Sequence, residues 1–388
     1  MSKVPTLFFS FLAIDRLNIM LAHLDKEKQI NRIAYFISPH GFGHAARAAS
    51  VMEAISRIDS SFRFEIFTTT PPWFFQDNLS GLFTYHYLLT DLGLVQKTPF
   101  EEDFGETLRR LNQLLPYDDS IITNISHKIK SLTCKLAICD IAPMGHLIAN
   151  NAGIPSVLVE NFTWDWIYEW YADRDEPIHT HISYLRGLFN MADVHIQTEP
   201  VCHPRSVDFL AGPASRKIKR SKRSIRNKLQ ISRENQMVLI TTGGVPQEYS
   251  FLEKLKNQHN IHFVIPCGCQ STEFRDNLIL LPHHSDFFHP DLVNASDTVI
   301  GKAGYSTIAE VYHAGIPFGY IPRPYNREAE TLVEFIEKEM TGYVISESEF
   351  QNGNWISQLK SLMERPRIER NVPNGADQIA EFIVNLLK

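Results

Sequence analysis

The pattern that most constrains this chain is a buried strand that runs into a glycine turn and opens a helix, used twice. The first case is Ile33-Ala-Tyr-Phe-Ile37, then His40-Gly-Phe-Gly-His44, then a helical stretch carrying Ala45, Ala48, Ala49, Met52 and Ile55. The second is a strand over 298–301 that enters Gly301-Lys-Ala-Gly304 and a helix over 306–314. A continuous apolar run suits a strand covered on both faces, and strands alternating with helices imply a parallel sheet. Further strand signals fall at 62–67, 85–89, 136–139, 155–159 and 194–197. After residue 230 the same alternation restarts, with strands at 237–241, 262–266, 278–281 and 318–321 and helices at 248–258 and 327–339. The pattern predicts an α/β chain of two doubly wound, Rossmann-like domains facing a cleft, with ligands beyond the carboxyl ends of the strands.

A chain of 388 residues accommodates two such domains. The boundaries read as an N-terminal extension at 1–30, a first domain at 31–211, a linker at 212–230, a second domain at 231–375 and a closing amphipathic helix at 376–388. The linker opens on Gly212-Pro213 and carries eight basic residues in the thirteen from Arg216 to Lys228. Two readings of it stay open: a solvated hinge, or a peripheral contact with anionic lipid headgroups.

Composition narrows the function classes. The net charge of −6 argues against nucleic-acid binding, which needs a basic face. Five cysteines without a Cys-x-x-Cys pair point to a reduced, cytoplasmic protein rather than a disulfide framework. No stretch reaches the ~18–20 apolar residues of a membrane span.

Two turns carry the candidate chemistry. At Gly41 and Gly43 the backbone can approach a ligand closely, and the free amides of the helix start attract anionic oxygens. His44 falls in the first helical turn, where the dipole disfavours an imidazolium and leaves a neutral base available. An ordinary strand-to-helix turn with His44 as a cap residue is the alternative. In the second turn Gly304 permits close approach, Ser306 and Thr307 offer amides and hydroxyls to a diphosphate, and Glu310 could accept from a ribose diol. Glu310 could equally be a helix-start carboxylate complementing the dipole. A dinucleotide fingerprint fits poorly, because Phe67-Thr-Thr-Thr70 stands where its acidic residue belongs.

The stretch Gly301-Lys-Ala-Gly-Tyr-Ser-Thr-Ile-Ala-Glu310 with Ala314-Gly-Ile-Pro-Phe318 resembles the nucleotide-sugar site of GT-B glycosyltransferases, notably the bacterial enzyme that adds N-acetylglucosamine to lipid I. Residues 31–385 more closely resemble the glycosyltransferase-like N-terminal region of plant L-arabinokinases. The shared motifs are His40-Gly-Phe-Gly-His-Ala-Ala-Arg47, Asn161-Phe-Thr-Trp-Asp-Trp-Ile-Tyr168, Ala295-Ser-Asp297 and Gly301-Lys-Ala-Gly-Tyr-Ser-Thr307. The resemblance implies that His44 is the acceptor-activating base and that Asp140 orients it, although Asp140 could instead cap the helix at Met144. It implies donor contacts from Gly41, Gly43, Gly243, Gly244, Lys302, Gly304, Tyr305, Ser306, Thr307, Glu310 and Glu328, with Glu330 competing for the last role. It further implies a metal-independent, inverting transfer from a nucleotide-diphosphate sugar, uridine in type, to a carbohydrate, lipid-linked or small-molecule acceptor, without a cofactor. A nucleotide-sugar hydrolase and a non-catalytic nucleotide-sugar sensor are the rival readings.

Other signals carry less. The run Pro282-His-His-Ser-Asp-Phe-Phe-His-Pro-Asp291 is rich in metal-type ligands but lacks helical or strand ligand spacing. Asp173-Arg-Asp175 reads as a solvated loop and Cys267-Gly-Cys269 as strand-end packing. The aromatic segment Trp164, Trp166, Tyr168, Trp170 and Tyr171 suits core packing or stacking on an acceptor sugar, with Asp165 a rival base.

Overall fold

The computed structural model describes residues 31–174, 177–243 and 249–388. The expected N-terminal extension, Gly244 and Asp175 lie outside them. Two seven-stranded sheets organise the chain. The first comprises β1 (Asn31–Ile37), β2 (Phe62–Thr68), β3 (Phe83–Tyr87), β4 (Cys134–Asp140), β5 (Ser156–Glu160), β6 (Val194–Thr198) and β7 (Phe209–Ala211). They are all parallel, in the order β3-β2-β1-β4-β5-β6-β7. The second comprises β8 (Gln236–Thr241), β9 (Ile261–Cys269), β10 (Glu273–Arg275), β11 (Leu278–Pro282), β12 (Thr298–Lys302), β13 (Phe318–Ile321) and β14 (Gly342–Val344). Their order is β10-β11-β9-β8-β12-β13-β14, with β10 alone antiparallel.

Chain order reverses between β1 and β4 in the first sheet and between β8 and β12 in the second. Ile37 pairs with Asp140 and Gly301 with Thr241, so both reversal points end level with the residues the sequence singled out. At such points the helices leave on opposite faces and a crevice opens beyond the strand ends. The two crevices face each other.

The last helix, Gly375–Leu386, returns to the first domain. Its Ala376, Ile379, Ala380 and Ile383 share one apolar core with the helix Gly43–Ile58 and the β1 residues Ile33, Tyr35 and Ile37. The crossing is tight: a Cβ on Gly375 would stand 1.9 Å from the carbonyl oxygen of Gly212. Within the linker, Lys222–Lys228 forms a helix capped by Ser221, and Ile225, Leu229 and Ile231 join the second domain's core. Its basic side chains meet protein groups: Lys222 and Arg226 pair with Asp297, Lys217 with Asp377, and Lys219 donates to the Asp77 carbonyl. No helix among the described residues is long and apolar enough to cross a membrane.

Candidate active site

Beyond β1 the chain turns through Gly41, whose φ of +65° favours glycine, and enters the helix Gly43–Ile58. This places His44 in the first turn and Arg47 one turn later on the same face. Asp140, the last residue of β4, is fully buried between them. Arg47 grips its carboxylate with both Nε (2.8 Å to Oδ2) and Nη2 (2.7 Å to Oδ1), and its Nη1 donates to Asn161 Oδ1 at 2.7 Å. His44 Nδ1 lies 3.0 Å from Asp140 Oδ1. Burial opposes the charge on Asp140, yet Arg47 and His44 hold its carboxyl below the usual range. An ionised carboxylate only accepts, so Nδ1 of His44 donates, and in the neutral ring Nε2 carries the lone pair. Arg47, like Asp140, stays charged despite burial, because the pair is forked and in contact.

Across the crevice, β12 ends at Lys302, and Gly304 caps the helix Tyr305–Ala314. Ser306 Oγ donates to the Gly43 carbonyl at 2.7 Å, so the two glycine turns meet face to face. The Tyr305 hydroxyl donates to Thr198 Oγ1 (2.8 Å) and accepts from the Ala214 amide (3.1 Å), while the Arg47 guanidinium lies 4.9 Å from its ring centre. Tyr305 thus packs at the hinge between the domains. Gly243, with φ of +74°, lies in the turn after β8 beside the Lys302 ammonium. Burial, with the nearby Arg323, lowers the Lys302 pKa to about 7, against the opposing pull of Glu328 and Glu102. Among the described residues no hydrogen bond or ion pair engages this ammonium.

Glu310 is buried and doubly engaged. Its Oε1 accepts from Arg216 Nε (2.9 Å) and Nη2 (2.7 Å), and its Oε2 lies 2.7 Å from His289 Nδ1. Arg216 also donates to Asn78 Oδ1 of the first domain at 3.0 Å. Glu328 pairs with Arg323. Together these groups line a cavity of about 560 Å³ between the domains, which includes His44, Arg47, Gly243, Lys302, Gly304, Ser306, Thr307, Glu310 and Glu328. That volume is typical of small-molecule sites.

The metal-type side chains of the 282–291 loop diverge. His284 meets Asp77, His289 meets Glu310, and Asp291 accepts from the Lys219 and Arg220 amides. No group of three or more such side chains converges among the described residues. Trp164, Trp166, Tyr168 and Tyr171 are buried in the first domain's core, and of these Trp164 also reaches the cavity. Asp165 pairs with Arg186 and does not line it. Asp173 sits exposed in a short 3-10 turn.

Sequence reasoning gave no role to four groups here. Arg47 stood inside the quoted motif, three residues after His44, and that one-turn spacing was its signal. Asn161 likewise began a quoted motif. His40 lines the cavity against Trp164, and burial, with His44, Arg323 and Lys302 nearby, lowers its pKa to about 3 and keeps it neutral. Arg323 had no local signal.

With this geometry in hand, structural likeness is informative. The spinosyn forosaminyltransferase SpnP superposes with a TM-score of 0.62 at 15% identity, covering 92% of this chain and all of that one. MurG of Acinetobacter baumannii gives 0.54 at 15% identity, covering 92% and 99%. The fold is GT-B. Residues 236–385 match the glycosyltransferase family 28 C-terminal domain, which in this GT-B chain contains Lys302, Gly304 and Glu310. The L-arabinokinase of Arabidopsis thaliana is 26% identical over 359 residues, covering 90% of this chain and 34% of that protein. A UDP-N-acetylglucosamine--N-acetylmuramyl-(pentapeptide) pyrophosphoryl-undecaprenol N-acetylglucosamine transferase of Thermoanaerobacter sp. (strain X514) is 27% identical over 162 residues, 40% of each chain. The chain therefore spans well under half the length of these relatives.

Proposed function

We propose that the protein is a glycosyltransferase that moves a sugar from a nucleotide-diphosphate sugar, uridine in type, to an acceptor hydroxyl with inversion at the anomeric carbon. The family 28 domain and the transferase relatives support the donor class. The observation that carries the chemistry is His44, held at Nδ1 by Asp140, in one cavity with the helix start at Gly304 and the Lys302 ammonium, which no hydrogen bond or ion pair engages among the described residues.

The donor diphosphate lies along the amides of residues 304–307 and the turn at Gly243, with the Gly41–Gly43 amides opposite. His44 Nε2 removes the proton of the acceptor hydroxyl as that oxygen attacks the anomeric carbon, and Asp140 stabilises the imidazolium formed. The bond to the diphosphate breaks on the opposite face, and the leaving group's charge falls on the helix amides and Lys302. That is the work a divalent cation would otherwise do, so turnover is expected to persist in EDTA. Glu328 holds donor-sugar hydroxyls and Glu310 a ribose hydroxyl. A cytoplasmic site of transfer is the reading that five cysteines without a Cys-x-x-Cys pair support.

Calorimetry against UDP, ADP and GDP sugars tests the donor, and NMR of the product's anomeric proton tests inversion. His44→Ala should bind donor as wild type does and lose about 10²–10⁴-fold in kcat. Undiminished turnover in that variant would remove His44 from the mechanism.

A further inference from the structure

On the acceptor side the wall of the cavity is built by a strap that crosses from one domain to the other. Residues 95–103 form a hairpin closed by a Gln96–Glu102 bridge and by the Asp103 amide donating to the Val95 carbonyl at 2.7 Å. Its base is fixed to the first domain: Val95 N donates to Thr107 Oγ1 at 2.9 Å, and Asp103 caps the helix Phe104–Leu114 through the Glu106 amide. Its tip belongs to the second domain. Phe100 is buried in that domain's apolar core, edge-on to Phe350 at 5.9 Å, with Phe251 and Trp355 in the same cluster. Glu102 lies 3.7 Å from Arg323 Nη1 and accepts from Asn326 Nδ2 at 3.3 Å. Leu94 and Gln96 at the hairpin base line the cavity, as do Arg323 and Asn326.

The far end of the cavity is bridged as well. The helix Pro72–Asn78 of the first domain meets the second through Trp73 stacked on His284 at 4.3 Å, and through Asp77 with His284. A ligand held between these two bridges meets protein at both ends of the cavity. A polymer or an anchored lipid leaving the cavity on this side would pass its tail through the hairpin, which would pull Phe100 from a core and strip Glu102 from Arg323.

We infer that the acceptor is a small, freely diffusing molecule of about monosaccharide size, enclosed whole beneath the 95–103 hairpin, rather than a polysaccharide or a membrane-anchored lipid. The inference rests on the transferase reading above. The hairpin then has two duties: it selects the acceptor by size and it keeps bulk water from the anomeric carbon.

The test uses the intact protein, a radiolabelled UDP-sugar, and a cell extract split into a filtrate below ~1 kDa and a retentate containing membranes and macromolecules. Label entering filtrate compounds is expected; label entering the retentate to a comparable extent would overturn the inference. A second arm replaces residues 97–101 with two glycines, alongside Glu102→Gln as a milder perturbation that leaves Phe100 seated. Both variants should bind UDP with wild-type affinity in calorimetry, which also reports that they are folded. The shortened hairpin should release free sugar to water at least about tenfold faster than wild type. Hydrolysis no faster than wild type in a variant that binds UDP would also overturn the inference. Wild-type protein that binds no nucleotide or nucleotide sugar would instead overturn the transferase reading itself.

Discussion

Asp140→Asn is the most informative single change, because Asp140 serves two partners at once. It accepts two hydrogen bonds from Arg47 and one from His44, and its side chain is fully buried. The amide is isosteric but neutral, and its NH2 must face a donor on either Arg47 or His44. Arg47, itself 1% exposed, is left as a buried cation without its counter-charge. Breaking a buried ion pair from one side costs about 3–5 kcal/mol, and the unsatisfied donor is part of that sum. Urea unfolding at pH 7 should show a loss of this size at an unchanged m value. Because the folded pKa of Asp140 is lowered, its contribution is present above the unfolded value near 3.8 and is lost as pH falls through the folded one. The gap between wild type and variant should therefore narrow below pH 4. Adding Arg47→Met should recover part of the loss, a coupling of about 2 kcal/mol or more. A loss under ~1 kcal/mol with no coupling would show that Arg47 does not depend on this carboxylate, and the account of how His44 is oriented would fall with it.

Three other outcomes are open to direct measurement. With Lys302 near 7, donor affinity should fall as pH rises from 6 to 9, since only the ammonium attracts a diphosphate, and Lys302→Met should bind more weakly with a flatter profile; calorimetry across that range checks it. Asp91 is buried beside Ser38, and burial raises its pKa well above 3.8, so its stabilising protonated form is lost as pH rises. Asp91→Asn, which keeps the acceptor for Ser38, should raise the melting temperature at pH 7 and lose that advantage at pH 3.5. Gly375→Ala would drive a methyl into the Gly212 carbonyl and should cost about 1–3 kcal/mol in denaturant unfolding, as overpacked contacts do.

What was readable in the sequence, and what was not, follows from the range of the forces involved. Strands such as β1 and β4 declare themselves by unbroken apolar runs, and the glycine turns after β1 and β12 by composition, so the alternation and the ligand-facing strand ends could be placed, whereas the order of the strands in each sheet could not. The three-residue edge strands β7, β10 and β14 are too short to show any period. The helix Lys222–Lys228 was hidden because its basic residues outnumber Ile225, the one apolar side chain it sends inward. The expected helix at 248–258 is observed as Leu252–Lys256. At the site, His44 could be named from its own turn, whereas the fork of Arg47 on Asp140 spans 93 residues and exists only through the β1–β4 register. The same holds for Arg216 and Glu310, which are 94 residues apart.

That last contact bears on whether Glu310 can hold a ribose. A carboxylate offers about four lone-pair positions. Arg216 fills two on Oε1 and His289 one on Oε2, which leaves one position on Oε2 for a hydroxyl without displacing either partner. Burial works against the charge on Glu310, but Arg216 and His289 keep its carboxyl below the ordinary range, so it stays a pure acceptor. Arg216 meanwhile reaches Asn78 of the first domain and lies 5.4 Å from the Phe74 ring and 5.1 Å from the Phe288 ring. The residue that aligns Glu310 thus also helps to tie the two domains together at this end of the cavity. A ribose hydroxyl accepted by Glu310 would therefore sit beside a guanidinium held by both domains. On the transferase reading, donor binding and the contact between the domains would be coupled through this one side chain of the linker.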